Sequence, residues 1–363
     1  MKSSQLIKIQ NFRCFQNIEI NGFKKINLIS GKNNTGKTSL LEALLLYFYP
    51  LPSSVYTLHK NRKESSDSVR KNPKDAWNNL FYGQSLENPI DLEGSFKTMG
   101  NKKVNLSAIQ SFSTQLKTIV EDFGVEKEEE YNAFKELSNS PTSILKIEYY
   151  LKNKEEKNII NILASGKGTF SLVPNFEVPF LPSSYSISNK SIAELYSKID
   201  YENKSDDLLN ILKILVPNIT GLKIYSFVEP TLYIQTVDNS RGLPIFLFGD
   251  AVYRVVTIIL KILDSDHNCL FIDEIENGIH YTCQKDVWSG LFHLAEKLDT
   301  LIFATTHSLE MIKAFAEAGQ DFPGQGAYFE LAYSPRTQKI IAINRDMDTL
   351  QYDLEHGKAI RGE

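Results

Sequence analysis

The chain has 363 residues, 42% of them hydrophobic and 23% charged, with a formal net charge of −4. That is enough chain for one large domain or two modest ones, and it excludes a bulk positive field, so any nucleic-acid contact has to come from a local patch. Cys14, Cys269 and Cys283 lie far apart with no C-x-x-C spacing, which points to a reduced, cytoplasmic protein without a disulfide frame or zinc knuckle.

The opening MKSSQLIKIQ does not have the form of a signal peptide. Ile26 to Ser30 (INLIS) reads as a short strand. It runs into GKNNTGKTS, where Gly31, Gly36, Lys37 and Thr38 fit G-x-x-x-x-G-K-[ST]. TSLLEALLLYFY then reads as a helix that stops near Pro50 and Pro52. Strand, glycine loop and helix turn backbone N–H groups and a helix N-terminus toward phosphates. Gly31, Asn33, Asn34, Thr35, Gly36, Lys37, Thr38 and Ser39 are therefore the expected nucleotide-binding set. Lys37 is expected to reach the β- and γ-phosphates of ATP, and the Thr38 hydroxyl to ligate Mg²⁺.

Residues 51 to 214 read as an insertion. Thr57 to Asp75 is polar and mixed in charge, a loop with a partly helical stretch. Ile90–Phe96, Ile144–Lys152 and Lys157–Ala164 read as strands, with a helical spacing and an acidic centre in the segment from Ala108 to Leu137. Ser191 to Leu215 gives two amphipathic helices. His59, Lys60, Arg62, Lys63, Arg70, Lys71 and Lys74 make a local basic cluster that could grip DNA if all faced one way; Glu64, Asp67 and Asp75 dilute it, which favours a solvated loop.

Next comes LPIFLFGDAVYRVVTIILKIL, in which Gly249 and Asp250 open an apolar helix. Its N-terminal N–H groups could meet a phosphate, or it is a buried helix with a glycine cap. The run Val255–Leu263 within it is too short, and too interrupted by Lys261, to span a membrane. In NCLFIDEIENG an apolar strand ends in two acids: Asp273 is expected to hold the Mg²⁺ shell, and Glu274 to polarise a water against the γ-phosphate. TLIFATTHSLEMI repeats the geometry, with His307 at a strand end suited to sense the γ-phosphate and Ser308 opening a helix. AYFELAYS and KIIAINR read as closing strands, and Asp346 and Asp348 (a D-x-D) as a turn.

Together NFRCF, GKNNTGKTSLLEAL, FGDAVYR, IDEIENGIH and FATTHSLEMI resemble the ABC-type AAA ATPases of the OLD/RecF/SMC branch, most of all the stand-alone ATPases of phage-defence and abortive-infection systems such as the PARIS ATPase subunit. The resemblance covers the first 50 residues and roughly 215 to 345. It implies an α/β P-loop NTPase with an ABC-ATPase head (1–50 and 215–363) and an antiparallel β arm and helical lobe inserted at 51–214; the 56 residues after His307, which must first finish the sheet, leave too little chain for a separate nuclease domain. It makes Lys37, Glu274 and His307 catalytic, Thr38 and Asp273 the metal pair, and Gly249, Asp250 and Arg254 the signature. Relatives commonly have a second glycine where Ala251 stands. Glu276, Asn277, Gly278 and His280 match a segment along a dimer interface. No Q-loop is assigned: Gln84 fits by residue type, Val178–Ser184 by position.

The implied protein binds and hydrolyses ATP with Mg²⁺, pairs head to tail with a second copy, and switches a separate effector such as a TOPRIM-type nuclease in anti-phage defence. A RecF-like DNA-repair clamp and a nucleotide-regulated scaffold with negligible turnover are the alternatives.

Overall fold

A computed structural model describes residues 5–110, 142–151, 157–171, 173–174, 176–184, 187–264, 268–357 and 360. The fold is α/β, as expected, with an antiparallel sheet. Two compact units are each built from separate stretches of chain. One is Met1–Gly22, Thr38–Val178 and Tyr333–Ala342; the other is Phe23–Lys37, Pro179–Ala332 and Ile343–Glu363.

The second unit carries most of a six-stranded sheet. β3 (Ile26–Gly31) is flanked by β14 (Leu301–Thr305) and β15 (Gly326–Ser334). Beyond β14 lie β13 (Cys269–Ile272) and the two-residue edge strand β9 (Phe180–Leu181), while β16 (Lys339–Arg345) pairs outside β15. The neighbours from β15 through β9 are parallel. Every residue of β3, β13 and β14 is buried, as their unbroken apolar runs require of strands covered on both faces. Phe271 and Phe303 stack at 5.4 Å between adjacent strands. Parallel strands end on one side, so residues 31, 273 and 305 reach the same edge.

Helices complete this unit. Asn189–Tyr201 and Ser205–Leu215 are the two expected amphipathic helices, each with one apolar stripe inside. Asp250–Leu263 is buried along nearly its whole length. Tyr281–Lys297 and Leu309–Gly319 pack through Trp288, Phe292 and Phe315. Ser308 caps the last of these, accepting from the Met311 N–H at 3.1 Å. Asp346 is a helix cap and not part of a turn: its carboxylate accepts from the Thr349 N–H at 2.8 Å and opens Met347–Glu355. A three-stranded sheet, β10 (Ile219–Ser226), β11 (Pro230–Thr236) and β12 (Asn239–Pro244), precedes Gly249; sequence periodicity missed it because these strands bury few side chains on either face.

The first unit is built on a seven-stranded sheet of order β2-β1-β4-β5-β6-β7-β8. β1 (Gln5–Phe12) and β2 (Phe15–Phe23) flank the NFRCF turn, where Asn11 and Arg13 are both left-handed. β4 (Ile90–Phe96), β6 (Thr142–Leu151) and β7 (Lys157–Ser165) are the expected strands; β8 (Gly168–Phe170) is short. β5 (Gly100–Ile109) was not expected, and it carries Ala108 and Ile109, assigned to a helix from the sequence; the rest of that helix, from residue 111, lies outside the described residues. Helix α1 (Lys37–Phe48) packs Tyr47 and Phe48 on Phe96 at 5.5 and 4.9 Å. Gly94 permits that approach, since a Cβ there would meet the Tyr47 ring at 3.0 Å.

Thr57–Asp75 is more regular than a loop: Pro52–Asn61 and Ser66–Lys71 are helical. This breaks up the basic cluster. His59 pairs with Glu64, Arg62 turns onto buried Glu42 and Arg70 meets Asp67, so the seven basic side chains do not form one free face. Among the described residues no helix is long and apolar enough to cross a membrane.

Candidate nucleotide site

The loop after β3 is held in a form that only its residue types allow. Gly31 has φ +143°, and a Cβ there would lie 2.3 Å from the Leu331 carbonyl oxygen and 2.7 Å from Thr35 Oγ1. Asn34 and Gly36 follow with φ of +65° and +90°. Residues of positive φ interleaved with ordinary ones are the backbone pattern that forms anion-receiving nests, although here the Thr35 N–H is bonded to the Lys32 carbonyl at 3.4 Å. Thr35 Oγ1 donates to the Lys32 carbonyl at 2.8 Å and closes the loop on itself. Asn33 and Asn34 are exposed on its rim.

Lys37 bends back over this loop. Its ammonium donates to the carbonyls of Gly31 (2.7 Å) and Lys32 (2.8 Å). Burial pulls its pKa down, and the carboxylates of Asp273, Glu274 and Glu276 pull the other way. The ammonium thus stands on backbone oxygens that an arriving phosphate can replace. Thr38 follows in α1. Ser39 departs from expectation: its hydroxyl is buried and accepts from Arg62 Nη2 at 3.2 Å. One helical turn on, Glu42 is fully buried and accepts from Arg13 (3.1 Å) and Arg62 (2.9 and 3.1 Å).

On the neighbouring strand ends Asp273 is buried and Glu274 half-exposed. Thr305 joins them. Its hydroxyl donates to Asp273 Oδ1 at 2.6 Å and accepts from the Glu274 N–H at 2.8 Å, and its carbonyl accepts from the Ile275 N–H at 3.0 Å. Glu274 is left-handed, with φ +49°. A side chain is strained there by about 1–3 kcal/mol, and such a residue persists only when its surroundings fix it.

The carboxylate of Glu274 lies between His307, whose Nε2 is 3.5 Å from Oε1, and Asn277, whose Nδ2 donates to Oε2 at 3.0 Å. The His307 N–H donates to Glu276 Oε1 at 2.6 Å, while Glu276 Oε2 is buried with no partner among the described residues. The strand ends thus bring Lys37, Asp273, Glu274 and His307 to one edge. Glu276 and Asn277, assigned from the sequence to an interface segment, turn their side chains inward on this cluster.

Gly249 and Asp250 are exposed at the start of Asp250–Leu263. The turn ending at Gly278 lies on them, since a Cβ at Gly278 would fall 3.3 Å from the Asp250 carbonyl carbon. Four residues into the helix, buried Arg254 donates to the Asp273 carbonyl (3.0 Å) and the Pro182 carbonyl (3.1 Å). Burial lowers its pKa, against the upward pull of Asp273, Glu276 and Glu274. Of the two Q-loop candidates, Gln84 is exposed in the first unit, bonded to Asn79, while Pro182 and Ser183 belong to this cluster. Thr305 and Asn277 are the site residues whose contacts the sequence did not announce.

Comparison with known proteins supplies the family. Residues 6–227 match a family model described as an AAA domain. Over 99% of its length the chain is 26% identical to the whole of an "ATP/GTP phosphatase" from Helicobacter pylori. A segment of 96 residues, 26% of this chain, is 38% identical to 9% of a "DNA double-strand break repair Rad50 ATPase" from Archaeoglobus fulgidus. Among solved structures, an SMC head bound to the C-winged helix domain of ScpA aligns with 97% of this chain and 99% of its own, at 10% identity and a TM-score of 0.48.

Proposed function

The chain belongs to the AAA domain family and is an ATPase, and on that premise we propose that ATP joins two copies head to tail and that hydrolysis releases them. The carrying observation is the cluster at one sheet edge: an ammonium resting on replaceable carbonyls, with Asp273, Glu274 and His307 beside it. Lys37 leaves the Gly31 and Lys32 carbonyls for the β- and γ-phosphates, exchanging two neutral acceptors for anionic ones. Thr38 and Asp273 each offer a hard oxygen of the kind Mg²⁺ takes, and the ion when bound would offset phosphate charge. Glu274 takes the proton of the attacking water, and His307 faces the γ-phosphate. Gly249 and Asp250 are exposed, free to close on the nucleotide of a second copy.

In this reading the nucleotide is a reversible joint and the effector is another polypeptide, such as a TOPRIM-type nuclease acting in anti-phage defence. The DNA-clamp reading is weakened because His59 and Arg62 are already paired within the chain. Light scattering on Glu274→Gln protein tests the proposal. Mg·ATP should move the mass from one copy to two and hold it there, and Lys37→Ala should abolish the shift. An assembly indifferent to ATP refutes the nucleotide joint.

A further inference from the structure

The Glu274 carboxylate is poorly held for a group that has to aim at one water molecule. Its backbone is in the left-handed region. The His307 ring stands at 3.5 Å, beyond an ordinary hydrogen bond. Lys37 is engaged with loop carbonyls, and Glu276 Oε1 is taken by the His307 N–H. Among the described residues, Asn277 supplies the one hydrogen bond of ordinary length to this carboxylate.

We propose that Asn277 is the positioning residue for Glu274, fixing Oε2 so that Oε1 is the oxygen presented to water. This rests on Glu274 being the base. The amide is suited to the task because of what it touches. Its Nδ2 donates to Glu274 Oε2 at 3.0 Å and to the Ser183 carbonyl at 3.1 Å. Both partners only accept, so chemistry fixes which end of the amide faces them. An aspartate at 277 would present oxygen to both and repel each.

The backbone supports the same geometry. The Asn277 N–H donates to the Glu274 carbonyl at 3.1 Å, so main chain and side chain both fold residue 277 back onto 274. Gly278 (φ +80°) continues the turn against Asp250. Ser183 follows the edge strand β9, whose Phe180 and Leu181 are in register with Phe271 and Ile272. Asn277 therefore references the carboxylate to the sheet rather than to the loop that carries it. A misplacement of about 1 Å in a reacting group can cost roughly 100-fold in rate.

The test is steady-state ATP hydrolysis by wild type, Asn277→Ala, Asn277→Asp and Glu274→Gln, and by Asn277→Ala combined with Glu274→Gln. Asn277→Ala should lower kcat by about 10- to 100-fold, with KM changed less than about threefold, because among the described residues the amide bonds to Glu274 and Ser183 and not to the glycine loop or Lys37. Asn277→Asp should be at least as slow. The double variant should be no slower than E274Q alone, since the amide acts through the carboxylate. Asn277→Ser, which keeps a donor, should recover part of the rate and serves if the alanine variant does not fold.

Wild-type kcat in N277A alongside a slow E274Q overturns the positioning role and leaves the base intact. An equal slowing by Asn277→Ala with and without Glu274 also overturns it. A wild-type rate in E274Q overturns the base reading, and this proposal with it.

Discussion

Thr305 offers the sharpest test of how the strand ends are held. Its hydroxyl makes two bonds at once, a buried donation to the Asp273 carboxylate at 2.6 Å and a partly buried acceptance from the Glu274 N–H at 2.8 Å. Thr305→Val keeps the shape and removes both. The carboxylate bond is charge-assisted, about 1.5–3 kcal/mol, and the stranded N–H costs about 1–3 kcal/mol more. Some is returned if Glu274 relaxes out of its left-handed conformation, about 1 kcal/mol at least. The expected net loss is about 2–4 kcal/mol. Urea unfolding of nucleotide-free protein measures it, with Thr305→Ser as the control that keeps the hydroxyl and gives up one methyl, about 1 kcal/mol. Stability should fall in the order wild type, serine, valine. A valine variant within about 1 kcal/mol of wild type, or less harmed than serine, would show that methyl packing holds this turn and that the hydroxyl bridge contributes nothing.

Gly31→Ala should abolish stabilisation by Mg·ATP. The new methyl would meet the Leu331 carbonyl oxygen at 2.3 Å, where neither backbone can yield; wild type at 100 times Kd should gain about 2.7 kcal/mol, and the variant close to none in a thermal-shift series. Glu42→Ala removes a fully buried carboxylate and leaves the Arg13 and Arg62 guanidinium groups facing each other. A loss of about 3–5 kcal/mol in urea unfolding is expected, and a loss under about 1 kcal/mol would mean that the arginines find other partners at no cost.

The residues that reach the sheet edge were legible because parallel strands covered on both faces announce themselves as apolar runs, and the polar residue that ends each run must lie where the strand ends. Gly31 and Gly36 were legible for a related reason: the loop needs backbone conformations that glycine takes at little cost. Asn277 was not, because its contact follows from a left-handed Glu274, and no residue type at 274 foretells that. Nor was the Glu42 cluster, since Arg13 and Arg62 lie 29 and 20 residues away in the chain and meet only after folding.

β5 shows the same limit from inside a strand. GNKKVNLSAI buries Lys102, Val104 and Leu106, a clean alternation, yet a lysine in the first of these positions disguises it as a polar turn. The buried ammonium is 5.7 Å from the Tyr47 ring centre and 5.3 Å from that of Tyr149, and donates to the Phe48 carbonyl at 3.2 Å. Two desolvated cation–π contacts at up to about 2 kcal/mol each and a charged hydrogen bond of about 1.5–3 kcal/mol are among the terms that offset the several kcal/mol that burying an ammonium costs. If the terms balance, the strand needs the length of the lysine and not its charge. Lys102→Met should then unfold within about 1 kcal/mol of wild type in urea, while Lys102→Ala, which opens a cavity between two rings, should lose about 2–4 kcal/mol. A methionine variant as unstable as the alanine one would mean that the charge itself pins β5 to α1, and that the lysine hiding this strand from the sequence is also what holds it in place.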